Sequence, residues 1–376
     1  MAPDRSQRIR PVEGIWITKL EGAPARRLAV KDLFDTAGIR TTYGSAVFAE
    51  HLPSETAPAV AALEAAGWTN VGKANLHEFA YGVTSQNLHY GVVPNPLAPG
   101  RTAGGSSGGS AAAIVAGEAE AALGTDSGGS IRIPAACCGI AGLKPTYGLV
   151  PTEGVFPLAP SFDHVGPMAA DVRGCVELMR VLAPGVHVPS PDDVRVAVAW
   201  AELCEPLVRA RVEAAAATVG ATAISFPDAD EVGPAFMAEV ADVHRDLYAE
   251  NAELYGENIR GKIERCLAVT DAERADAERA REQLRTDAEA ALDGYDLLLA
   301  PTLAFVAPPA DVDEPATRSA FVRFTFPFNA LGWPALALPA GEAEGGLPAS
   351  VQVVGRAGDD GLVLALGLAL EAALKP

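Results

Sequence analysis

Short apolar runs bounded by glycine and proline recur along the chain: ARRLAVKD (25–32), WTNVGKAN (68–75), RVAVAW (195–200), YDLLLAPT (295–302), PALALPA (334–340) and ASVQVVG (349–355). Runs of this length without strict polar alternation predict strands buried on both faces. Helical stretches separate them. PSETAPAVAALEAAG (53–67) predicts a helix with Ser54 as its N-cap and Gly67 at its stop. SAAAIVAGEAEAALGTD (110–126) reads as a second helix, 205–220 and 231–292 are mostly helical, and LVLALGLALEAAL (362–374) closes the chain. The charge spread around DAERADAERAREQLRTDAEAAL (271–292) predicts a surface helix. Strand and helix in this rhythm predict an α/β fold. We read one domain over 1–376, with a core at 25–200 and 293–376 and a mainly helical excursion at 201–292.

Composition narrows the partners. With 376 residues and 49% hydrophobic positions the chain can bury a sizeable core. Its formal charge of −19 repels phosphate backbones and anionic membranes, so neither a nucleic acid nor a membrane is expected, and a small or neutral substrate fits better. Five cysteines with no CxxC pair predict reduced, buried filler in a cytoplasmic protein. The start MAPDRSQRIRPVEG shows no leader-like apolar stretch, and no later run reaches membrane-spanning length. The six histidines are scattered without ligand spacing, so no metal or other cofactor is expected, and His164 reads as structural.

Two loops concentrate the chemistry. GGSSGGSAAA (104–113) and GTDSGGSIRIPAACCG (124–139) set serines among glycines, which free the backbone and uncover its N–H groups. Neither carries the lysine of a phosphate-binding loop. GGSSG fits the GxSxG elbow around Ser106, but a proline-rich segment precedes it where an elbow needs a buried strand. Only six lysines stand against 23 arginines, and Lys31, Lys73 and Lys144 sit in apolar, glycine-rich settings. Taken singly, each reads as a structural lysine.

VKDLFDTAGIRTTYGS (30–45), GGSSGGSAAA and GTDSGGSIRIPAACCGIAGLKPTYGLVPTEGVFPLAPSFDHVGPM (124–168), with FNALGWPALALPAG and GLPASVQVVG beyond, resemble the amidase signature family of Ser-Ser-Lys hydrolases. The likeness covers about 25–182 and 295–376. It implies a mixed β-sheet sandwiched between helical layers, with Ser130 as nucleophile, Ser106 as bridging serine and Lys31 as base. It also implies a cis Gly105–Ser106 peptide, a bracing pair Asp126 and Arg132, and a supporting Ser107. Its acyl-site segment corresponds to EFAYGVTSQN (78–87), making Tyr81, Gly82 and Val83 pocket candidates. Phe156 and Trp333 are candidates for apolar walls.

The chemistry is coherent on its own terms. A serine attacks a carbonyl when a neutral lysine takes its proton, and burial is what lowers a lysine's proton affinity. Ser127, Gly128 and Gly129 can present N–H groups to the oxyanion. The expected activity is hydrolysis of a small amide through an acyl-enzyme on Ser130, with carbamates (urethanes), anilides and esters open to the same route, by a monomer or homodimer. Two alternatives stand beside it: the amidase subunit of a tRNA-dependent amidotransferase, and a catalytically silent binding protein of the same fold.

Overall fold

The computed structural model describes residues 13–22 and 25–374. Residues 1–12, most of the segment expected to hold no leader, lie outside the described residues. At the centre is an 11-stranded sheet in the order Trp16–Lys19, Thr69–Ala74, Arg27–Lys31, Ala121–Asp126, His164–Ala169, Ala141–Lys144, Ala335–Glu342, Pro348–Val354, Leu297–Pro301, Val196–Val198 and Thr222–Ala223. Strand Arg27–Lys31 is parallel to both its neighbours, whereas Ala121–Asp126 and His164–Ala169 are antiparallel. The sheet is therefore mixed, and helices cover both faces, as expected for the α/β fold.

Alternate strand residues serve two cores. Leu28, Val30, Leu123, Leu297 and Leu299 pack on one side, where helices Val172–Leu182, Pro206–Thr218 and Asp360–Leu374 lie. Ala29, Ala122 and Ala337 pack on the other, against Ala111 and Ala112 of helix Gly108–Val115. Small residues on both surfaces let this helix settle close to the sheet, and its approach sets where the preceding Gly/Ser loop can reach.

Two element boundaries differ from the sequence expectation. The helix predicted over 110–126 ends at Val115, Gly117 follows at φ +70°, and Ala121–Asp126 is a strand. Alanine's helix preference is worth only a few tenths of a kcal/mol per residue, and pairing on both edges in a fully buried strand outweighs it. The helix expected from 53 starts at Pro58, whose fixed φ suits a first helical position, and Ala57 rather than Ser54 caps it without a side-chain bond.

Helices Gly233–Asn251, Glu257–Leu267 and Asp271–Ala291 account for most of the helical excursion. The last begins with a Thr270/Glu273 capping box and buries only Ala277, Leu284 and Ala288, so it is the expected surface helix. Among the described residues no helix is long and apolar enough to cross a membrane.

Candidate active site

Parallel pairing decides where the reactive groups gather. Val30 stands opposite Leu123 in neighbouring parallel strands, so Lys31 and the pair Thr125 and Asp126 emerge at the same, carboxyl-terminal edge of the sheet. Such edges are where open α/β sheets place ligands. The two Gly/Ser loops meet there. Ser107 N–H donates to the Ser130 carbonyl at 3.2 Å, and Ser107 Oγ donates to the Thr125 carbonyl at 3.3 Å. Ser85 holds the first loop from behind, donating to the Ser106 carbonyl and accepting from Gly108 N–H. The Gly105–Ser106 peptide is cis.

Lys31 Nζ donates to Ser106 Oγ at 2.8 Å and to Thr125 Oγ1 at 2.7 Å. Lys31 and Ser106 are wholly buried, and Ser130 is 7% exposed, its hydroxyl making no hydrogen bond with another described residue. Burial lowers the Lys31 ammonium to about 7, against the opposing pull of the Asp126 and Asp163 charges. An amine in this state exchanges its proton readily at neutral pH.

The second loop is braced from within. Asp126 accepts from Arg132 Nε and Nη2, both at 3.0 Å, and from the backbone N–H of Gly129 and Ile131. Both side chains are fully buried, so this is not a surface ion pair. Burial opposes ionisation of Asp126, but the charge and hydrogen bonds of Arg132, with Lys144 and Asn329, outweigh it and hold the carboxyl well below its usual range.

Gly129 must be glycine: its φ is +133°, and a Cβ there would lie 2.3 Å from Thr325 Oγ1. Its N–H is committed to Asp126, which removes it from the three donors expected for the oxyanion. The N–H groups of Ser127, Gly128 and Ser130 donate to no described residue. The Ser127 hydroxyl donates to Asp163, whose carboxyl burial raises to about 6.

A cleft of about 220 Å³ borders Gly128, and Tyr81, Phe236, Met237 and Phe326 form its apolar walls. Of the five pocket candidates, only Tyr81 lines this cleft. Gly82 lies behind it, where a Cβ would come within 2.3 Å of the His77 ring. Val83 packs with Ile133 and Cys137, and its N–H donates to Glu314. Phe156 borders a separate cavity of about 70 Å³ beside Thr125 and Asp163, and its ring packs on Tyr43 and Phe79. Trp333 is core: it is 3% exposed, packs near Phe226, and its carbonyl accepts from Lys144. An apolar residue near a motif suits a wall and a core equally well, and only the packing separates them.

The amidase family profile matches residues 18–203 and 196–364. The chain belongs to the amidase family. It is an enzyme acting on carbon–nitrogen bonds. It is 34% identical over 403 residues to a glutamyl-tRNA(Gln) amidotransferase subunit from Haloarcula marismortui, covering 92% of this chain and 94% of that protein. A solved amidase structure superposes with a TM-score of 0.86 at 37% identity, covering 93% of this chain and 85% of its own. The corresponding glutamyl-tRNA(Gln) amidotransferase subunit from Thermotoga maritima superposes with a TM-score of 0.80 at 29% identity, covering 95% and 86%.

Within this amidase the other reactive residues have structural partners. Lys144 donates to the Pro145 and Trp333 carbonyls, and Lys73 to Thr36 and Thr41. His164 Nδ1 pairs with the Phe162 carbonyl at 2.7 Å, and His244 Nδ1 with Tyr255 Oη at 3.0 Å. Burial pushes the Cys137 thiol up to about 12, which leaves it inert as a nucleophile. Among the described residues no group of three or more His, Cys, Asp or Glu is placed to hold a metal ion.

Sequence reasoning missed Thr125, Asp163, Asn329 and Gln352. Thr125 lies inside the second Gly/Ser motif, one residue before Asp126. Asn329 and Gln352 reach Arg132 at 2.7 and 2.9 Å from about 200 residues away, and no local pattern marks them.

Proposed function

We propose that this enzyme hydrolyses a carboxamide through an acyl-enzyme on Ser130, with Ser106 as proton relay and Lys31 as base. The observation that supports it is the fully buried Lys31–Ser106 hydrogen bond at 2.8 Å, made by an amine whose proton affinity burial has lowered. In the neutral state Lys31 accepts the Ser106 proton while Ser106 accepts that of Ser130, and the Ser130 oxygen attacks the carbonyl carbon. The N–H groups of Ser127, Gly128 and Ser130 receive the developing oxyanion. The relay then runs in reverse, protonating the leaving nitrogen as the carbon–nitrogen bond breaks. Water enters by the same route, and the acid is released. Carbamates, anilides and esters present the same carbonyl to this machinery.

A fluorophosphonate probe with peptide mapping tests the assignment. Label should sit on Ser130 and vanish in Ser130→Ala; label on Ser106 reverses the two serine roles.

The same chemistry has two settings: a free-standing amidase, and the ammonia-releasing subunit of an amidotransferase acting on glutamyl-tRNA. The 34% identity to a glutamyl-tRNA(Gln) amidotransferase subunit, spread over nearly the whole of both chains, favours the second. The charge of −19 speaks against direct contact with tRNA by this chain, and not against assembly with subunits that make it. The isolated chain, assayed for ammonia release from glutamine and simple amides, separates the settings. Full activity without a partner supports the free-standing enzyme, and activity only with partner subunits supports the other.

A further inference from the structure

A buried ion pair joins the helical excursion to the core. Lys262, on helix Glu257–Leu267, places Nζ 2.6 Å from Glu314 Oε2 at the start of helix Glu314–Val322, and the two residues are 2% and 1% exposed. Burial takes the Lys262 ammonium down to about 8, which leaves it charged at neutral pH. A buried pair of this kind adds little stability over apolar packing, so its role is sought in the geometry it fixes.

That geometry is the course of one backbone segment. Lys262 Nζ donates to the Tyr81 carbonyl at 2.9 Å, and Val83 N–H donates to Glu314 Oε1 at 3.3 Å. The Tyr81 hydroxyl meets Cys266 Sγ, one helical turn beyond Lys262, at 3.2 Å. Phe79, Ala80 and Ser85 have φ of +51°, +59° and +57°, a region that residues other than glycine keep only where their surroundings impose it. The two ends of this segment grip the catalytic loop. His77 N–H and Ser85 Oγ both donate to the Ser106 carbonyl at 3.2 Å, and Ser85 Oγ accepts from Gly108 N–H at 3.1 Å. The ion pair therefore bears on Ser106 through the segment it holds.

Resting on the reading of Ser106 as proton relay, we propose that Lys262 and Glu314 are positioning residues that clasp the segment 77–85 and through it aim the Ser106 hydroxyl between Lys31 and Ser130. An anilide needs a proton on its leaving nitrogen, whereas p-nitrophenolate departs without one, so a misaimed Ser106 slows the anilide more. Hexananilide and p-nitrophenyl hexanoate form the same acyl-enzyme, and kcat/KM is measured for each with the Ser130→Ala rate subtracted. Their ratio does not depend on the fraction of chains folded, so it reads position rather than stability. Lys262→Met leaves Glu314 buried without its closest cation and should lower both Tm and the anilide-to-ester ratio. Adding Glu314→Gln removes the stranded charge and keeps an acceptor for Val83 N–H, so Tm should recover while the ratio stays about 10-fold or more below wild type. Lys262→Arg, which keeps a donor for the Tyr81 carbonyl, should regain part of the ratio. A ratio that returns with Tm in the double variant, or that never falls, overturns the proposal. An unchanged ratio in Ser106→Ala overturns the relay reading instead, and anilide turnover per folded molecule of the double variant then decides the clasp: depressed turnover upholds it, and wild-type turnover removes it.

Discussion

Lys31 Nζ lies 2.8 Å from Ser106 Oγ, with both side chains wholly buried. The nearby carboxylates Asp126 and Asp163 raise the amine's proton affinity, but the loss of water outweighs them and leaves it at about 7. For base catalysis the neutral form is the active one. On the acid side kcat/KM should therefore climb about tenfold per pH unit, bend near pH 7 and level off above about pH 8. A profile flat from about pH 6 to 9 would remove Lys31 from the mechanism.

The same burial has a stability consequence of definite sign. The folded-state value of about 7 lies below the ordinary 10.5, so between them the unfolded chain binds more protons than the folded one. Stability from this group rises with pH across that window, and below it the buried charge costs stability in full. Lys31→Met, of similar length and uncharged, should raise Tm at about pH 6 while abolishing turnover. A lower Tm would mean that the bonds to Ser106 and Thr125 outweigh the desolvation.

Thr125 is the second partner of the amine, at 2.7 Å. Thr125→Val keeps the shape and removes the acceptor. The ammonium then loses a favourable contact, so the midpoint of the pH profile should move down. With the amine less well aimed, the plateau kcat should fall about 10-fold. A purely structural role would lower Tm and leave the midpoint in place.

What the sequence reveals here depends on distance along the chain. The Gly/Ser loops, Lys31 and the Asp126–Arg132 pair lie in short motifs whose residue types carry their chemistry with them. Ser106 and Ser130 are 24 positions apart, yet one backbone bond from Ser107 joins their loops. By contrast, the role of Gly129 was half legible. That glycine frees the backbone there can be read from the motif, but the positive φ it adopts and the commitment of its N–H to Asp126 depend on how the loop folds. The strand at 121–126 was hidden by its alanines, because composition favours a helix where sheet pairing decides. The cleft wall is completed by Arg318 and Phe326, on and beyond helix Glu314–Val322 and some 190 residues after Gly128, and only the fold brings these segments together.

Gly129→Ala brings two penalties to one position: a side chain at φ +133° and a Cβ 2.3 Å from Thr325 Oγ1. The loop must shift, and the donors at Ser127, Gly128 and Ser130 shift with it. Loss of one aimed donor costs about 10²–10³ in kcat, so a loss of at least that size is expected, with a modest fall in Tm. Full activity would show that the oxyanion is held elsewhere.

Arg132 meets three side chains, Asp126, Asn329 and Gln352, in a site without exposure. Removing the guanidinium in Arg132→Leu leaves the Asp126 carboxylate buried and uncompensated, a loss of about 3–5 kcal/mol. Arg132→Lys should rescue only part, because one ammonium cannot span both carboxylate oxygens and the two amide oxygens. The pair also sets the acid limit. Because Asp126 is held below its ordinary 3.8, its contribution is complete above about pH 4 and is lost as pH falls toward the folded value. Wild-type Tm should therefore drop steeply below about pH 4, whereas Asp126→Asn should start lower and fall less. Thermal melts between about pH 2.5 and 5 make the comparison, and an equally steep fall in Asp126→Asn would assign the acid sensitivity to other carboxylates.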